Sequence, residues 1–204
     1  MSKKNQVGRR EKILDAATRL FLAQGVIGTQ MKEVAKLADV DQSLIGYYFP
    51  SLDSLFAEVM QTRIQRFNDY VLDAVSSQKR SVRGLLEIYT LSFFRWFSEN
   101  PEEARLIEYF IYLAMLREPF TSTHESFRRK GRERLAGYVF QGIAQGEFRK
   151  SAKGKKKVDG EKIARQIQGV IMGGLQTYLA ERGIDPLAYA QEAFEVIEEI
   201  IENL

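Results

Sequence analysis

The sequence predicts an all-α protein, because apolar residues recur at helical spacing and helix-capping residues separate the segments that carry this pattern. The alternation of apolar and polar residues that is typical of strands is not found along the sequence. The first predicted helix covers residues 10–24 and ends before Gly25, a residue that suits a helix terminus. Its buried face would consist of Ile13, Ala16, Ala17, Leu20 and Phe21.

The segment 25–49 is typical of two short helices joined by a tight turn. Thr29 would cap the first helix, because its hydroxyl can accept a hydrogen bond from an early amide. Asp39 and Val40 would form the turn, since aspartate tolerates a left-handed backbone better than most residues. The buried face of this first helix would consist of Met31, Val34, Ala35 and Ala38.

The second short helix would cover residues 42–48, with Asp41 as its cap and with Ile45 and Phe49 pointing inward. The outward residues would be Gln42, Ser43, Leu44, Gly46, Tyr47 and Tyr48. A short helix with polar and aromatic groups on its outer side suits the major groove of DNA.

The predicted DNA contacts differ in their chemistry. Gln42 is the best candidate for reading a base, because its amide can form two hydrogen bonds with adenine. Tyr47 and Tyr48 would reach phosphates with their hydroxyls, whereas Thr29 and Lys32 would contact a phosphate and a base edge. The complete predicted set is Thr29, Gln30, Lys32, Gln42, Ser43, Leu44, Gly46, Tyr47 and Tyr48.

Capping residues divide the rest of the chain into longer helices. Ser51 would cap the first of them, Asn100 with Glu103 would form a capping box, and Ser122 with Glu125 would form another. The predicted helices cover residues 52–77, 82–99, 101–116, 122–145, 161–182 and 186–203.

The composition is that of a soluble globular protein, with 45% hydrophobic and 28% charged residues among 204. The sequence has no uninterrupted apolar run of about 18 residues, so we expect a cytoplasmic protein with no membrane contact. The absence of cysteine excludes disulfides, thiolate nucleophiles and cysteine metal ligands.

Basic residues gather at the amino terminus, where residues 1–12 carry five basic side chains against one acidic side chain. A flexible basic arm would fit the minor groove of DNA or the flanking phosphates. The alternative is a tail that only increases solubility.

The sequence RREKILDAATRLFLAQG, followed by GTQMKEVAKLADV and LIGYYF, resembles the amino-terminal domain of the tetracycline-repressor (TetR) family of bacterial transcriptional regulators. The resemblance is ungapped over about residues 9–57. Three positions depart from the family pattern. Asp39 replaces the usual turn glycine, Gly46 stands where an aromatic residue is frequent, and Leu52 stands where a lysine is frequent.

The resemblance implies a helix-turn-helix domain of three helices at residues 1–51, with the basic arm, and a larger helical ligand-binding and dimerisation domain at residues 52–204. It further implies a homodimeric repressor that binds a palindromic double-stranded DNA operator. A small apolar or aromatic effector would release this repressor from the operator. The second hypothesis keeps the same DNA-binding domain but places it under the control of a protein partner.

The last two predicted helices are candidates for the dimer interface. The alternative is packing within one chain. Three glycines in the first of them, Gly169, Gly173 and Gly174, cost ~1 kcal/mol each relative to alanine and therefore need a packing reason. The predicted interface residues are Ile167, Val170, Ile171, Gly174, Tyr178, Phe194, Ile197 and Ile201.

Aromatic residues are concentrated in the middle third of the chain, where they could line an apolar ligand cavity or form an ordinary core. The family resemblance favours the cavity for the set as a whole. The predicted ligand-binding residues are Tyr89, Phe93, Trp96, Tyr109, Phe110, Tyr112, Phe127, Tyr138 and Tyr178.

An enzyme is poorly supported by the sequence. It has no cysteine, a single histidine, no glycine-rich phosphate loop and no paired-carboxylate motif, so we predict no catalytic residue, no metal site and no cofactor. We interpret His124 as an exposed residue of a first helical turn. The lysine-rich segment 149–160 is interpreted as a solvated loop, with contact to an acidic partner as the alternative.

Overall fold

The structure is a computed structural model that describes residues 3–77, 80–148, 159–181 and 183–203, with side chains from Gly8 onward. The all-α prediction is confirmed, since the described residues form helices and no strands. None of the described helices is long and apolar enough to cross a membrane. The helices are α1 (Lys3–Gln24), α2 (Met31–Ala38), α3 (Gln42–Tyr48), α4 (Leu52–Ser76), α5 (Val82–Glu99), α6 (Pro101–Ala114), α7 (Phe120–Gln145), α8 (Gly160–Ala180) and α9 (Pro186–Glu202).

Contacts group the chain into two compact units, residues 1–65 with 102–124 and residues 66–101 with 125–204. This grouping reflects which residues pack together. It does not test the predicted functional division into residues 1–51 and 52–204, which stays a prediction.

The first unit has an aromatic core around Phe56 of α4. The Phe56 ring lies 5.3 Å from that of Phe21 in α1 and 5.8 Å from that of Phe120 in α7, measured between centroids. Phe110 of α6 packs edge-on against Phe120 at 6.0 Å. These rings are almost completely buried, so α6 and the start of α7 complete the core beneath the three amino-terminal helices.

The second unit packs α5 against α8 and α9. Gly174 of α8 allows this close approach, because a Cβ there would stand 2.7 Å from Phe94 Cζ and 2.7 Å from Tyr189 Cε1. At the other end of α5, Arg83 Nη1 donates to Glu198 Oε1 at 2.6 Å and to Glu202 Oε1 at 3.1 Å. The faces of α8 and α9 that carry the apolar stripes are therefore turned into the subunit.

Neither of the two predicted capping boxes, at Asn100 and at Ser122, is formed among the described residues. Asn100 closes α5 by donating from Nδ2 to Trp96 O at 2.8 Å, whereas Ser122 lies inside α7, which begins two residues earlier. The Ser122 hydroxyl donates to Glu118 Oε2 at 2.9 Å. The Ser51 prediction is confirmed by the Ser54 amide, which donates to Ser51 Oγ at 3.1 Å.

Glu103 does not complete a capping box. Its side chain is 4% exposed and forms a salt bridge with Arg63 of α4, whose side chain is 13% exposed. The pair joins α4 to α6 inside the first unit.

Candidate functional site

The predicted two-helix unit is present, with α2 and α3 joined at Asp39 and Val40. Asp39 adopts the left-handed conformation with φ 53° and ψ 53°, and the Val40 amide donates to Ala35 O at 3.1 Å. Ile45 is fully buried and Phe49 is 3% exposed, as the spacing predicts. These contacts fix α3 on α2 and leave the opposite side of α3 open.

The amino terminus of α2 differs from the prediction. Thr29 is only 3% exposed, and its hydroxyl donates to Gly25 O at 2.7 Å, so it closes the turn after α1. The helix begins after Gln30, whose amide donates to Glu33 Oε2 at 2.8 Å. Thr29 is therefore neither a cap of α2 nor a surface residue that can contact DNA.

The remaining predicted DNA-contact residues lie on the surface of the unit. Tyr47 is 76% exposed, and its ring meets that of Tyr48 edge-on at 5.3 Å. Leu44 and Tyr48 are half-buried, which narrows the fully open part of α3. The exposed residues of the predicted set are Gln30, Lys32, Gln42, Ser43, Gly46 and Tyr47. Asp41 has the extended backbone of a cap, but its side chain makes no capping hydrogen bond.

The described part of the basic arm is helical, because α1 begins at Lys3, so the prediction of a flexible arm is wrong for residues 3–9, which precede the predicted helix. Arg10 is already engaged, since its Nη2 lies 2.7 Å from Glu58 Oε1 and its guanidinium stands 5.5 Å from the centroid of the Phe49 ring. Arg9 and Lys12 are exposed. The side chains of the earlier lysines lie outside the described residues.

The predicted dimer interface is wrong for six of its eight residues. All six are buried within the single chain, because the stripes of α8 and α9 pack against each other and against α5. Val170 and Tyr178 remain half-buried. The six residues turned into the subunit are Ile167, Ile171, Gly174, Phe194, Ile197 and Ile201.

The predicted ligand-binding residues are divided between the two units. Tyr109, Phe110 and Tyr112 belong to the first unit, where Phe110 is core and Tyr112 is 54% exposed. They therefore do not join the others in one cluster within a unit. The second unit holds Tyr89, Phe93, Trp96, Phe127, Tyr138 and Tyr178.

Phe67 of α4, which the prediction omits, is the centre of the aromatic cluster in the second unit. Its ring centroid lies 5.2 Å from Phe93, 6.1 Å from Trp96 and 6.4 Å from Phe127. Phe67 and Phe93 are buried, whereas Trp96 and Phe127 are half-buried. The helical spacing of apolar residues in α4 indicates that Phe67 is buried. It does not indicate which helix Phe67 packs against.

Two of the predicted ligand-binding residues, Tyr89 and Tyr138, lie beside Arg134, which the predicted set omits. Tyr89 is 8% exposed, and its ring centroid is 6.4 Å from that of Tyr138. Burial raises the pKa of Tyr89, and the neighbouring Arg134 guanidinium opposes this shift through its charge and a hydrogen bond. Burial also raises the pKa of Tyr138, again against the charge of Arg134.

Gln168 of α8 is a second buried polar side chain, with 8% exposure. Its Nε2 donates to Arg128 O at 3.0 Å, whereas its Oε1 finds no hydrogen-bond donor among the described residues. A buried acceptor left without a donor costs about 1–3 kcal/mol. This cost would be relieved by a donor group on a bound molecule or by water.

Two remaining expectations concern His124 and the lysine-rich segment. His124 is half-buried, and its ring centroid lies 6.1 Å from that of Phe110, so it is not the exposed residue that was predicted. Most of the segment 149–160 lies outside the described residues, and the interpretation of its lysines stays a prediction.

Comparison with known proteins identifies the amino-terminal part of the chain. The profile of the family described as bacterial regulatory proteins, tetR family, matches residues 13–59. The HTH-type transcriptional regulator AcrR of Shigella flexneri is 42% identical over 52 residues, which are 26% of this chain and 24% of that protein. The match therefore spans about a quarter of the length of this curated relative.

Solved structures share the fold over nearly the whole chain. A TetR transcription regulator from Haloarcula marismortui has a TM-score of 0.77 at 19% identity, with 96% of this chain and 97% of that chain covered. FadR from Bacillus subtilis, solved in complex with stearoyl-CoA, has a TM-score of 0.72 at 17% identity, with 95% and 98% covered. Identities at this level show a common fold only.

Proposed function

Because this chain belongs to the TetR family of bacterial regulatory proteins, we propose that it is a cytoplasmic, sequence-specific DNA-binding transcriptional regulator. In this proposal it is a homodimeric repressor that a small apolar or aromatic ligand releases from a palindromic operator. The observation that carries the proposal is the exposed polar and aromatic surface of α3, held rigidly on α2. A helix presented in this way fits the major groove.

The exposed residues would divide between base reading and phosphate contact. Gln42 stands in the first turn of α3, where its amide can meet the edge of an adenine. Tyr47 would donate its hydroxyl to a phosphate, and Lys32 would neutralise another. Gly46 leaves open space at its Cβ position, so the DNA backbone can come close to α3 there.

Replacing Gln42 by alanine is expected to weaken binding to the operator by ~1–3 kcal/mol and to relax the preference at one position of each half-site. Tyr47→Phe should instead weaken binding about equally on all sequences, because a phosphate contact carries no base information. Titration of labelled operator and of scrambled DNA measures both effects.

The matched control is Gln141→Ala, which removes an exposed glutamine on α7. It should bind operator and scrambled DNA like the parent. If Gln42→Ala kept the full ratio of specific to non-specific affinity, Gln42 would not read a base.

The proposed dimer needs a surface other than the stripes that were predicted. Gly169 and Gly173 lie one turn apart on the exposed side of α8, and within the described residues nothing comes within 4 Å of a Cβ at either position. Glycines inside a helix cost ~1 kcal/mol each, and the described part of their own chain gives these two no packing reason. Close approach of a helix from a second subunit would supply one.

Ligand control would operate by population shift, in which the ligand binds more tightly to the form whose two DNA-binding domains do not match the operator. Half-buried Trp96 and Phe127, together with the unsatisfied Gln168 Oε1, support a site in the second unit that a small molecule can enter. FadR from Bacillus subtilis, which shares this fold, was solved with stearoyl-CoA, a ligand whose acyl chain is apolar.

We expect a ligand that changes Trp96 fluorescence also to lower operator affinity, because Trp96 is the single tryptophan and lies in the aromatic cluster. Fluorescence titration followed by operator binding in the presence of the ligand tests this expectation. Compounds that bind beside Trp96 and leave operator affinity unchanged would contradict ligand control.

The alternative function is a DNA-binding protein of the same type controlled by a protein partner. The exposed apolar residues at the end of α6 favour it, since Tyr112, Met115 and Leu116 are 54%, 72% and 60% exposed. Under this alternative, Met115→Glu should abolish regulation in cells. Under control by a small molecule, the same variant should respond to the effector like the parent.

A further inference from the structure

Arg134 of α7 is a half-buried cation. Its Nη1 donates to Asn68 Oδ1 at 3.4 Å, and its guanidinium lies within hydrogen-bonding reach of the Tyr89 hydroxyl. None of the salt bridges among the described residues joins Arg134 to a carboxylate. Because a guanidinium stays protonated in proteins, Arg134 carries a positive charge that no salt bridge within the described part of the second unit neutralises.

Two hydroxyl groups accompany this charge. Tyr89 of α5 and Tyr138 of α7 lie with their ring centroids 6.4 Å apart, and the charge of Arg134 acts on both. Since burial raises the pKa of each tyrosine, both phenols keep their protons at neutral pH and remain donors. One guanidinium with two hydroxyl donors is a suitable set for a carboxylate.

An apolar wall adjoins these donors. Phe127, Arg134 and Tyr138 share one face of α7, because they stand at positions i, i+7 and i+11. Phe127 meets the aromatic cluster through Phe67, and the half-buried state of Arg134 and Tyr138 leaves them accessible to a small molecule. A ligand that lies along this face would contact both aromatic rings and the positive charge.

We propose that the effector of this chain, whose existence rests on the function proposed above, is an apolar organic acid with its carboxylate bound by Arg134, Tyr89 and Tyr138. The aromatic cluster around Phe67 would hold the apolar body of the acid. An uncharged ligand of the same shape would leave the guanidinium without an anion and would therefore bind less tightly.

The test compares acids with neutral molecules of the same size. Trp96 fluorescence is titrated with 2-naphthoate against 2-naphthamide and with decanoate against decanol. The parent should bind each acid at least about tenfold more tightly than its neutral counterpart, as hydrogen bonds to a charged group imply. Arg134→Gln should abolish this preference, whereas Arg129→Gln, the same substitution at an exposed position of α7, should retain it.

Tyr89→Phe provides a second variant if Arg134→Gln lowers the melting temperature, and it should reduce the preference for the acids severalfold. Equal affinity of acid and neutral counterpart for the parent, full preference in Arg134→Gln, or no binding of either acid would overturn the proposal. Acids that bind through Arg134 but leave operator affinity unchanged would support this site and refute ligand control. A neutral effector that releases the operator without using Arg134 would refute this site and support ligand control.

Discussion

Gly174→Leu is expected to lower the free energy of unfolding by about 3 kcal/mol, at the upper end of what overpacking costs. A Cβ at this position already stands 2.7 Å from both Phe94 Cζ and Tyr189 Cε1, and leucine adds three further carbon atoms. Phe94 is fully buried, so its ring has little room to move. Urea denaturation followed by circular dichroism measures the loss.

The neighbouring glycine is the matched control. Gly173 is exposed, and among the described residues no atom stands within 4 Å of its Cβ position. Gly173→Leu should therefore keep the fold and stabilise α8 by ~1 kcal/mol, because leucine has the higher helix propensity. If the outer side of α8 forms the proposed dimer interface, sedimentation should find Gly173→Leu weakly associated or monomeric. Equal denaturation midpoints for the two variants would refute the packing of α8 against α5 and α9.

Glu103→Ala is expected to lower the free energy of unfolding by about 3–5 kcal/mol, because it removes one member of a buried ion pair. The remaining guanidinium of Arg63 has only 13% of its side chain exposed and cannot recover full hydration. Thermal and urea denaturation of the parent and the variant measure the difference.

Glu102→Ala is the control for this prediction, since Glu102 is the exposed neighbour of Glu103 and its removal should change stability by at most about 0.5 kcal/mol. The double variant Arg63→Met, Glu103→Leu should recover most of the lost stability, because apolar side chains of similar size need no counterion. Equal losses for Glu102→Ala and Glu103→Ala would show that the ion pair is not the cause.

Local signals were sufficient to predict most helices. The predicted bounds of α3 and α5 agree with the structure, and the left-handed turn at Asp39 follows from the tolerance of aspartate for that conformation. These features depend on interactions between residues a few positions apart. They are therefore written into short stretches of sequence.

The errors concern partners distant in sequence. An apolar stripe on α8 predicts burial, but it cannot distinguish a partner helix in the same chain from one in a second subunit, and Ile171 and Ile197 were misassigned for that reason. Thr29 resembles a cap until the turn after α1 brings Gly25 O to its hydroxyl. Glu103 resembles half of a capping box, and only the fold places it beside Arg63, forty positions earlier.

The candidate sites were predictable to different extents. The helical period and the short length of α3 predict which of its residues are exposed, because a short helix fixed by Ile45 and Phe49 has one free side. Tyr89 and Tyr138 were in the predicted ligand-binding set, but their position beside Arg134 was not predictable, because the members of this group come from α4, α5 and α7. No spacing in the sequence relates residues on three separate helices.

Selection of binding sites from random double-stranded DNA by the purified protein shows whether the chain reads DNA as a two-fold dimer through α3. We expect an inverted repeat whose two half-sites are separated by about one helical turn of DNA or a multiple of it, since a two-fold dimer presents two copies of α3. Gln42→Ala should select the same repeat with less information at one position of each half-site. If the parent protein enriched no motif, or a single motif without a repeat, the chain would not bind DNA as a two-fold dimer through α3.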